Sequence, residues 1–426
     1  MVKEEKDSYL YNKLAFLNYI NKLEDNDFKK LMILIKLIKK QYSDLKIAIK
    51  TPNPSSDRRW GDYFFALSLK KSLEKKGFKV IIHEREFWSE DDFDIAIVLR
   101  GLFEYNIKSY HLNLMWNISH PNIVPLHEYE EYDVVFVASE NYAKLLENEL
   151  NALVHPLLQC VDPEKFFYHE NNEFNDDILF VGFSKGGVSR KIIFDMLKTN
   201  YDFSVYGFGW EGVIDDKFIK GQFIDNNILN KAYSSCKILL NDHWEDMVEK
   251  DFVSNRIYDA LACKTFVISD YVESIERLFE GAVVTYSNSQ DLNDKLNYYL
   301  IHDTERRDMA KRGHQIVLKK HTFDNRVSEL LDVVENKYYF NFLNKTLSNA
   351  SQAIFSDKFV LNSPANFIND FFNEDYDDIL HEVIFMNIKI TKLEEKISFL
   401  EKEKQFNVNN KHRFKNNKFF KFLKFK

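Results

Sequence analysis

The chain is short of residues that punctuate backbone, with 12 glycines and 7 prolines among 426 residues. That shortage suits a helix-rich chain and says little about function. Cysteine is scarce too. Cys160, Cys236 and Cys263 have no metal-ligand spacing and sit in apolar sequence, so buried thiols in a reducing cytoplasm are expected, and no metal site. No long hydrophobic run exists. The longest, Leu31 to Ile38, is broken by Lys36 and is too short to span a bilayer. The charged start, Met1 to Asp7, lacks the apolar core of a signal peptide. Positive charge is in deficit: 58 Lys and Arg against 66 Asp and Glu give −8, so bulk attraction to nucleic acid is not expected. What is abundant is aromatic, 38 Phe and 22 Tyr. An apolar content of 45% is ordinary for a protein that buries real cores, and the length allows two domains with appendages.

Short apolar strands alternate with helices through most of the chain. After a helical extension over 1–43, strands are expected at 45–49, 79–83, 95–99, 112–117 and 134–138. Between the first two lies a Pro-, Asn- and Ser-rich loop, then a helix from about Tyr63 to Lys76. A polar stretch, 168–176, reads as a linker, and the pattern restarts. Strands are expected at 177–181, 203–206, 238–241, 266–269 and 283–286. This predicts two doubly wound α/β domains, 44–167 and 177–328, each with a parallel sheet. In both halves polar residues follow the strands, which is where open parallel sheets bind ligands.

One segment, Asp251 to Asp270, stands out. Asp251 and Asp259 lie eight residues apart, with Ser254, Asn255 and Arg256 between them. A helix begun near Ser254 carries Asp259 inward and leaves Asp251 on the preceding loop. Helix amides and an arginine suit a diphosphate, and carboxylates accept from ribose and sugar hydroxyls.

Two such domains with Asp251-x7-Asp259 near the end resemble the GT-B glycosyltransferases. More narrowly, the chain looks like the glycosyl transferases group 1, including the spore-maturation-like branch. Four segments carry the resemblance: Trp60-Gly61-Asp62; Leu99-Arg100-Gly101 with Trp116 to Pro121; Tyr206 to Trp210; and Leu240 to His243 with Phe252 to Cys263. It implies two Rossmann-like domains facing a cleft, the first for acceptor and the second for donor. It implies transfer of a sugar from a nucleotide-diphosphate sugar to an acceptor hydroxyl, in bacterial surface glycan or glycoconjugate synthesis. The nucleotide sugar is a co-substrate, and no metal or other cofactor is implied. Arg190, Gly207, Trp210, His243, Asp251, Ser254, Asn255, Arg256 and Asp259 become the donor-site candidates, and Trp60, Gly61 and Arg100 the acceptor-side ones. If the reaction inverts configuration, Asp62 or His120 is the base; if it retains configuration, none is needed. Five positions depart from the family: Asp251 and Asp259 replace glutamates, with shorter reach but the same charge, Lys264 stands where glycine is common, Phe64 where histidine is expected, and Phe183 where an arginine often follows the strand. That last change leaves Lys185 or Arg190 to reach the phosphates.

Plainer explanations stand beside these. Asp62 could N-cap its helix, His120 could shape the turn before Pro121, and Arg256 could pair with a neighbouring carboxylate. A nucleotide-sugar epimerase of the same architecture and a non-catalytic binding or scaffold protein are the competing readings. Beyond about 328 the chain is expected to be helical. Ile379, Val383, Met386, Ile390, Leu393, Ile397 and Leu400 form a heptad seam suited to homo-oligomerisation through 379–400, within a helical region 329–404. The tail, 405–426, is basic and aromatic. It suits either a solvated end or adsorption to an anionic membrane surface at the inner face.

Overall fold

The computed structural model describes residues 23–184, 190–339 and 341–342. The heptad seam, the basic tail and Lys185 lie outside the described residues. Two six-stranded parallel sheets form the frame. The first contains β1 (Lys46–Lys50), β2 (Lys79–His83), β3 (Ile95–Arg100), β4 (Leu112–Asn117), β5 (Val134–Val137) and β6 (Leu153–Pro156) in the order β2-β1-β3-β4-β5-β6. The second contains β7 (Ile178–Val181), β8 (Ser204–Tyr206), β9 (Ile219–Gly221), β10 (Ile238–Asn241), β11 (Val267–Asp270) and β12 (Val283–Tyr286) in the order β12-β11-β10-β7-β8-β9. β3 and β4 are buried along their whole length, as helices on both faces of a parallel sheet require. β6 escapes the sequence reading because Leu153–Pro156 is a short edge strand that ends in proline.

Twelve α-helices are described. Those of the first half are α1 (Asp25–Ile38), α2 (Gly61–Lys75), α3 (Leu126–Glu130) and α4 (Glu140–Glu149). The second half has α5 (Lys191–Met196), α6 (Leu229–Ser235), α7 (Glu245–Glu249), α8 (Asn255–Ala262), α9 (Ser274–Phe279), α10 (Ser289–Ile301), α11 (Asp303–Lys320) and α12 (Phe323–Asp332). α12 begins with a capping box from Thr322 and returns to the first sheet's helices. Phe323 meets Phe65 of α2 with centroids 4.7 Å apart, and Ser72 donates to Asp324 at 2.6 Å. Among the described residues no helix is long and apolar enough to cross a membrane.

The strand orders fix where a ligand can sit. In each sheet the chain reverses its direction of winding once, between β1 and β3 and between β7 and β10. The loops leaving the strands on either side of such a point diverge and open a crevice. β7 ends at Val181, just before Gly182, and β10 ends at Asn241.

Candidate active site

α8 is built to aim polar groups at that crevice. Its buried face is Ile257, Tyr258, Ala260 and Leu261, packed in the core of the second half. Ser254 is its N-cap, yet its side chain makes no capping bond, which leaves the first turn open. One turn of α8 then carries Asn255, Arg256 and Asp259. Arg256 Nη1 donates to Asn241 Oδ1 at 2.8 Å, and a Cβ built on Gly182 would come within 3.1 Å of Arg256 Nη2. The guanidinium therefore sits at the reversal point of the second sheet.

A cavity of about 310 Å³ opens between the two halves. Gly61, Asp62, Phe64 and Phe65 of α2 line one side, with Ile118 and Ser119 after β4; Ser254, Asn255, Arg256 and Asp259 line the other. Five of the polar candidates from the sequence, Asp62, Ser254, Asn255, Arg256 and Asp259, thus share one space.

Two carboxyls in this cavity are held away from water. Burial pushes Asp259 up to about 8, against the opposing fields of Lys165 and Arg256. Its Oδ2 accepts from Asn255 Nδ2 at 3.0 Å, while its Oδ1 has no partner among the described residues. Asp62 is open to the cavity but enclosed by protein, and burial pushes it up to about 6. It is not the N-cap of α2. The helix starts two residues earlier than expected, Trp60 is the N-cap, and Asp62 is the second helical residue.

Other candidates are placed elsewhere. Asp251 is buried outside the cavity, in a left-handed conformation at φ 59°. Its Oδ1 accepts from the Ser274 amide at 2.8 Å, and its Oδ2 from Asn141 at 2.8 Å and from the Ser274 hydroxyl. Arg190 is spent on Asp242, with Nη1 to Oδ1 at 2.9 Å, and lies over the Trp244 ring. Burial disfavours both charges, lowering Arg190 and raising Asp242. Asp270 is held below the usual carboxylate range by His243 despite its burial, and receives both the His243 amide and its ring nitrogen Nδ1. Trp210 is core, T-shaped on Phe180 and donating to the Gly182 carbonyl at 2.8 Å. Gly207 is there for close approach: a Cβ would lie 2.0 Å from Gly182 O.

On the acceptor side Arg100 is buried in a bidentate pair with Glu128 of α3, at 2.6 and 2.8 Å. That pairing, not a ligand, satisfies an arginine buried at the end of the apolar strand β3. Trp60 is not among the cavity residues, although Gly61 is. His120 takes a left-handed φ of 51° before Pro121 and faces Asp246 of α7 across the cleft at 3.7 Å. Its neighbours Ile118 and Ser119 reach the cavity, and it does not. Lys264 also has a positive φ, 57°, as the residue after the C-cap of α8. Its amide bonds to Leu261 O and that of Thr265 to Ala260 O, a Schellman end that explains why glycine would be at home there.

Sequence reasoning missed Lys165, Gln159, Asn226 and Tyr233, all cavity residues. They come from the link between the halves and from α6 and its approach. Only the fold brings them to the cavity, and no spacing announces them. Among the described residues no group of three His, Cys, Asp or Glu side chains is placed to hold a metal ion.

Comparison with known proteins agrees with the architecture. No curated protein sequence matches the chain. Among solved structures, sucrose-phosphate synthase (tll1590) from Thermosynechococcus elongatus superposes with a TM-score of 0.53 at 12% identity, covering 72% of this chain and 100% of that one. Anabaena Alr3699/HepE, solved with UDP and glucose, gives 0.51 at 10% identity, covering 68% and 99%. An alpha-glucosyltransferase, solved with UDP-glucose and DNA containing an abasic site, gives 0.53 at 11% identity, covering 68% and 99%. Residues 190–332 match the family described as "Glycosyl transferase-like". The fold is that of the GT-B glycosyltransferases, and the segment that carries Arg256 and Asp259 matches a glycosyltransferase family.

Proposed function

We propose that the protein transfers a sugar from a nucleotide-diphosphate sugar to an acceptor hydroxyl, without a metal. One observation carries this reading: Asp62 from one half and Ser254, Asn255, Arg256 and Asp259 from the other line a single cavity at the sheet ends. The leaving diphosphate needs its charge neutralised as the glycosidic bond breaks. Arg256 and the open first turn of α8 are fixed in place for that and need no reorganisation. Asp259 accepts from ribose hydroxyls. Asp62, on the opposite wall, orients the acceptor hydroxyl and takes its proton, a task suited to a carboxyl held at about 6. Bacterial surface glycan or glycoconjugate synthesis at the cytoplasmic side, with the basic tail of the sequence meeting a membrane, is part of the same proposal and rests on the sequence resemblance. Two of the superposed structures contain UDP or UDP-glucose, which makes UDP sugars the first donors to try.

The test is a thermal-shift screen of UDP, GDP, dTDP, CDP and their common sugars, on the native protein and on Arg256→Ala. A rise in midpoint with one nucleotide, lost in the variant, supports the donor site. No rise from a well-folded sample would sink it and favour the scaffold reading.

A further inference from the structure

The inner wall of the cavity holds an ammonium and a carboxyl that do not pair. Asp259 Oδ1 is buried and has no hydrogen-bond partner among the described residues. Lys165, from the link between the halves, lines the same space, and its ammonium lies over the Phe64 ring at 4.2 Å. Among the described residues Lys165 makes no ion pair, although Asp259 is the largest opposing charge acting on it and it is the largest acting on Asp259. Two more acceptor oxygens among the cavity residues, Asn226 Oδ1 and Asn255 Oδ1, are also buried without partners among the described residues.

Unpartnered acceptor oxygens suit a ligand that donates, and an ammonium lining the same cavity suits one that accepts. A phosphate only accepts and would leave the Asn226 and Asn255 oxygens unanswered. An amine only donates and would face Lys165. A hydroxyl does both, and a vicinal pair of hydroxyls can accept from Lys165 while donating to Asp259. Arg256 lies one helical turn before Asp259, so the ligand's anion and its hydroxyls would occupy neighbouring levels of α8.

We propose that Lys165 is a specificity-determining residue, which with Asp259 clamps a vicinal diol of the ligand and rejects deoxy analogues. This rests on the nucleotide-sugar reading above. The diol is that of the ribose or of the transferred sugar, and the test separates them.

Dissociation constants are measured for UDP, 2′-deoxy-UDP and UDP-glucose, and for the GDP, CDP and ADP counterparts, on the native protein, Lys165→Met and Lys165→Arg. The unliganded melting midpoint reports folding of each variant. For a ribose clamp the native protein prefers the ribonucleotide by about tenfold or more, the worth of one hydrogen bond to a charged group. Lys165→Met brings that ratio close to one, and Lys165→Arg keeps most of it, so the ratio is still readable if the Met variant does not fold. For a sugar clamp the ribo/deoxy ratio stays put, and the advantage of the nucleotide sugar over the bare nucleotide collapses instead. If Lys165→Met weakens every ligand equally, or none, the clamp is overturned while the donor site stands. If no nucleotide binds the native protein, both readings fall.

Discussion

Asn141 of α4 donates to Asp251 Oδ2 at 2.8 Å, so the first carboxylate of the Asp251-x7-Asp259 pair joins the two halves of the molecule. The same carboxylate receives the backbone amide and hydroxyl of Ser274 at the start of α9. Beside it, Arg277 of α9 pairs with Glu140 of α4 at 2.6 Å. Asp251 also ends α7: its amide bonds to Val248 O and that of Phe252 to Met247 O. It is a strut at a corner, and its spacing from Asp259 reflects the geometry of the loop that leads into α8.

A strut and a ligand residue respond differently to mutation. Asp251→Ala should destabilise the fold by about 2–3 kcal/mol, since it strands the Ser274 amide and removes charge-assisted bonds. Asp251→Gly should recover part of that loss because the backbone at φ 59° costs glycine nothing. Urea unfolding measures both. Nucleotide affinity at a temperature where each variant is folded should stay within about twofold, and a large loss there would return Asp251 to the donor site.

Asp259 should make the unliganded protein more stable in mild acid than at pH 8. Its carboxyl is raised from 3.8 to about 8 by burial, so the folded state holds a proton that the unfolded state releases. Stability is full below the unfolded value and falls as pH rises from about 4 to 8, by at most about 1.4 kcal/mol per pH unit. Asp62, raised to about 6, acts in the same direction up to that pH. Asp259→Asn should therefore raise the melting midpoint at pH 8 and flatten its pH dependence, while weakening nucleotide binding. A midpoint in Asp259→Asn that still falls as steeply above pH 6 would show that the carboxyl is not held as described.

Much of this was legible in the sequence, for reasons that can be named. Parallel strands buried on both faces are apolar runs, so β3, β4 and β10 announce themselves. The partners of α8 do as well, because Ser254, Asn255, Arg256 and Asp259 lie within one short helix and its cap. Illegible were the roles set by contacts distant in sequence. Arg100 ends a strand as a cleft residue would, but Glu128, 28 residues on, claims it. Arg190 and Asp242 neutralise one another across 52 residues. Lys165 reaches the cavity from a segment whose spacing carries no signal, because the approach of the two sheets brings it there.

Asp62 should control a rise in rate with pH. With the carboxyl at about 6, the base form of the free protein accumulates above that pH, so kcat/KM should climb through about 6 and level off. Asp62→Asn should cut the transfer rate by roughly a hundredfold to ten-thousandfold, with nucleotide affinity little changed. His120→Ala should do much less, since His120 lies outside the cavity. Transfer, or in its absence release of nucleotide diphosphate from the donor, is the readout. An Asp62→Asn enzyme with native rate would leave the reaction without a carboxylate base on this wall.

Lys264→Gly should stabilise the fold although it removes a side chain. Lys264 holds φ 57° at the end of α8, where a Cβ crowds the following carbonyl and glycine suffers no such clash. Against this stand the greater freedom of glycine in the unfolded chain and the loss of an exposed contact between the ammonium and Tyr168, at 5.2 Å. The steric term is the largest, so a net gain of about 0.5–1 kcal/mol is expected, seen as a higher midpoint in urea with an unchanged slope. Lys264→Ala keeps the Cβ and loses the Tyr168 contact, so it should be no more stable than the native chain. If the alanine variant gained as much as the glycine one, backbone strain at this helix end would not be the cause.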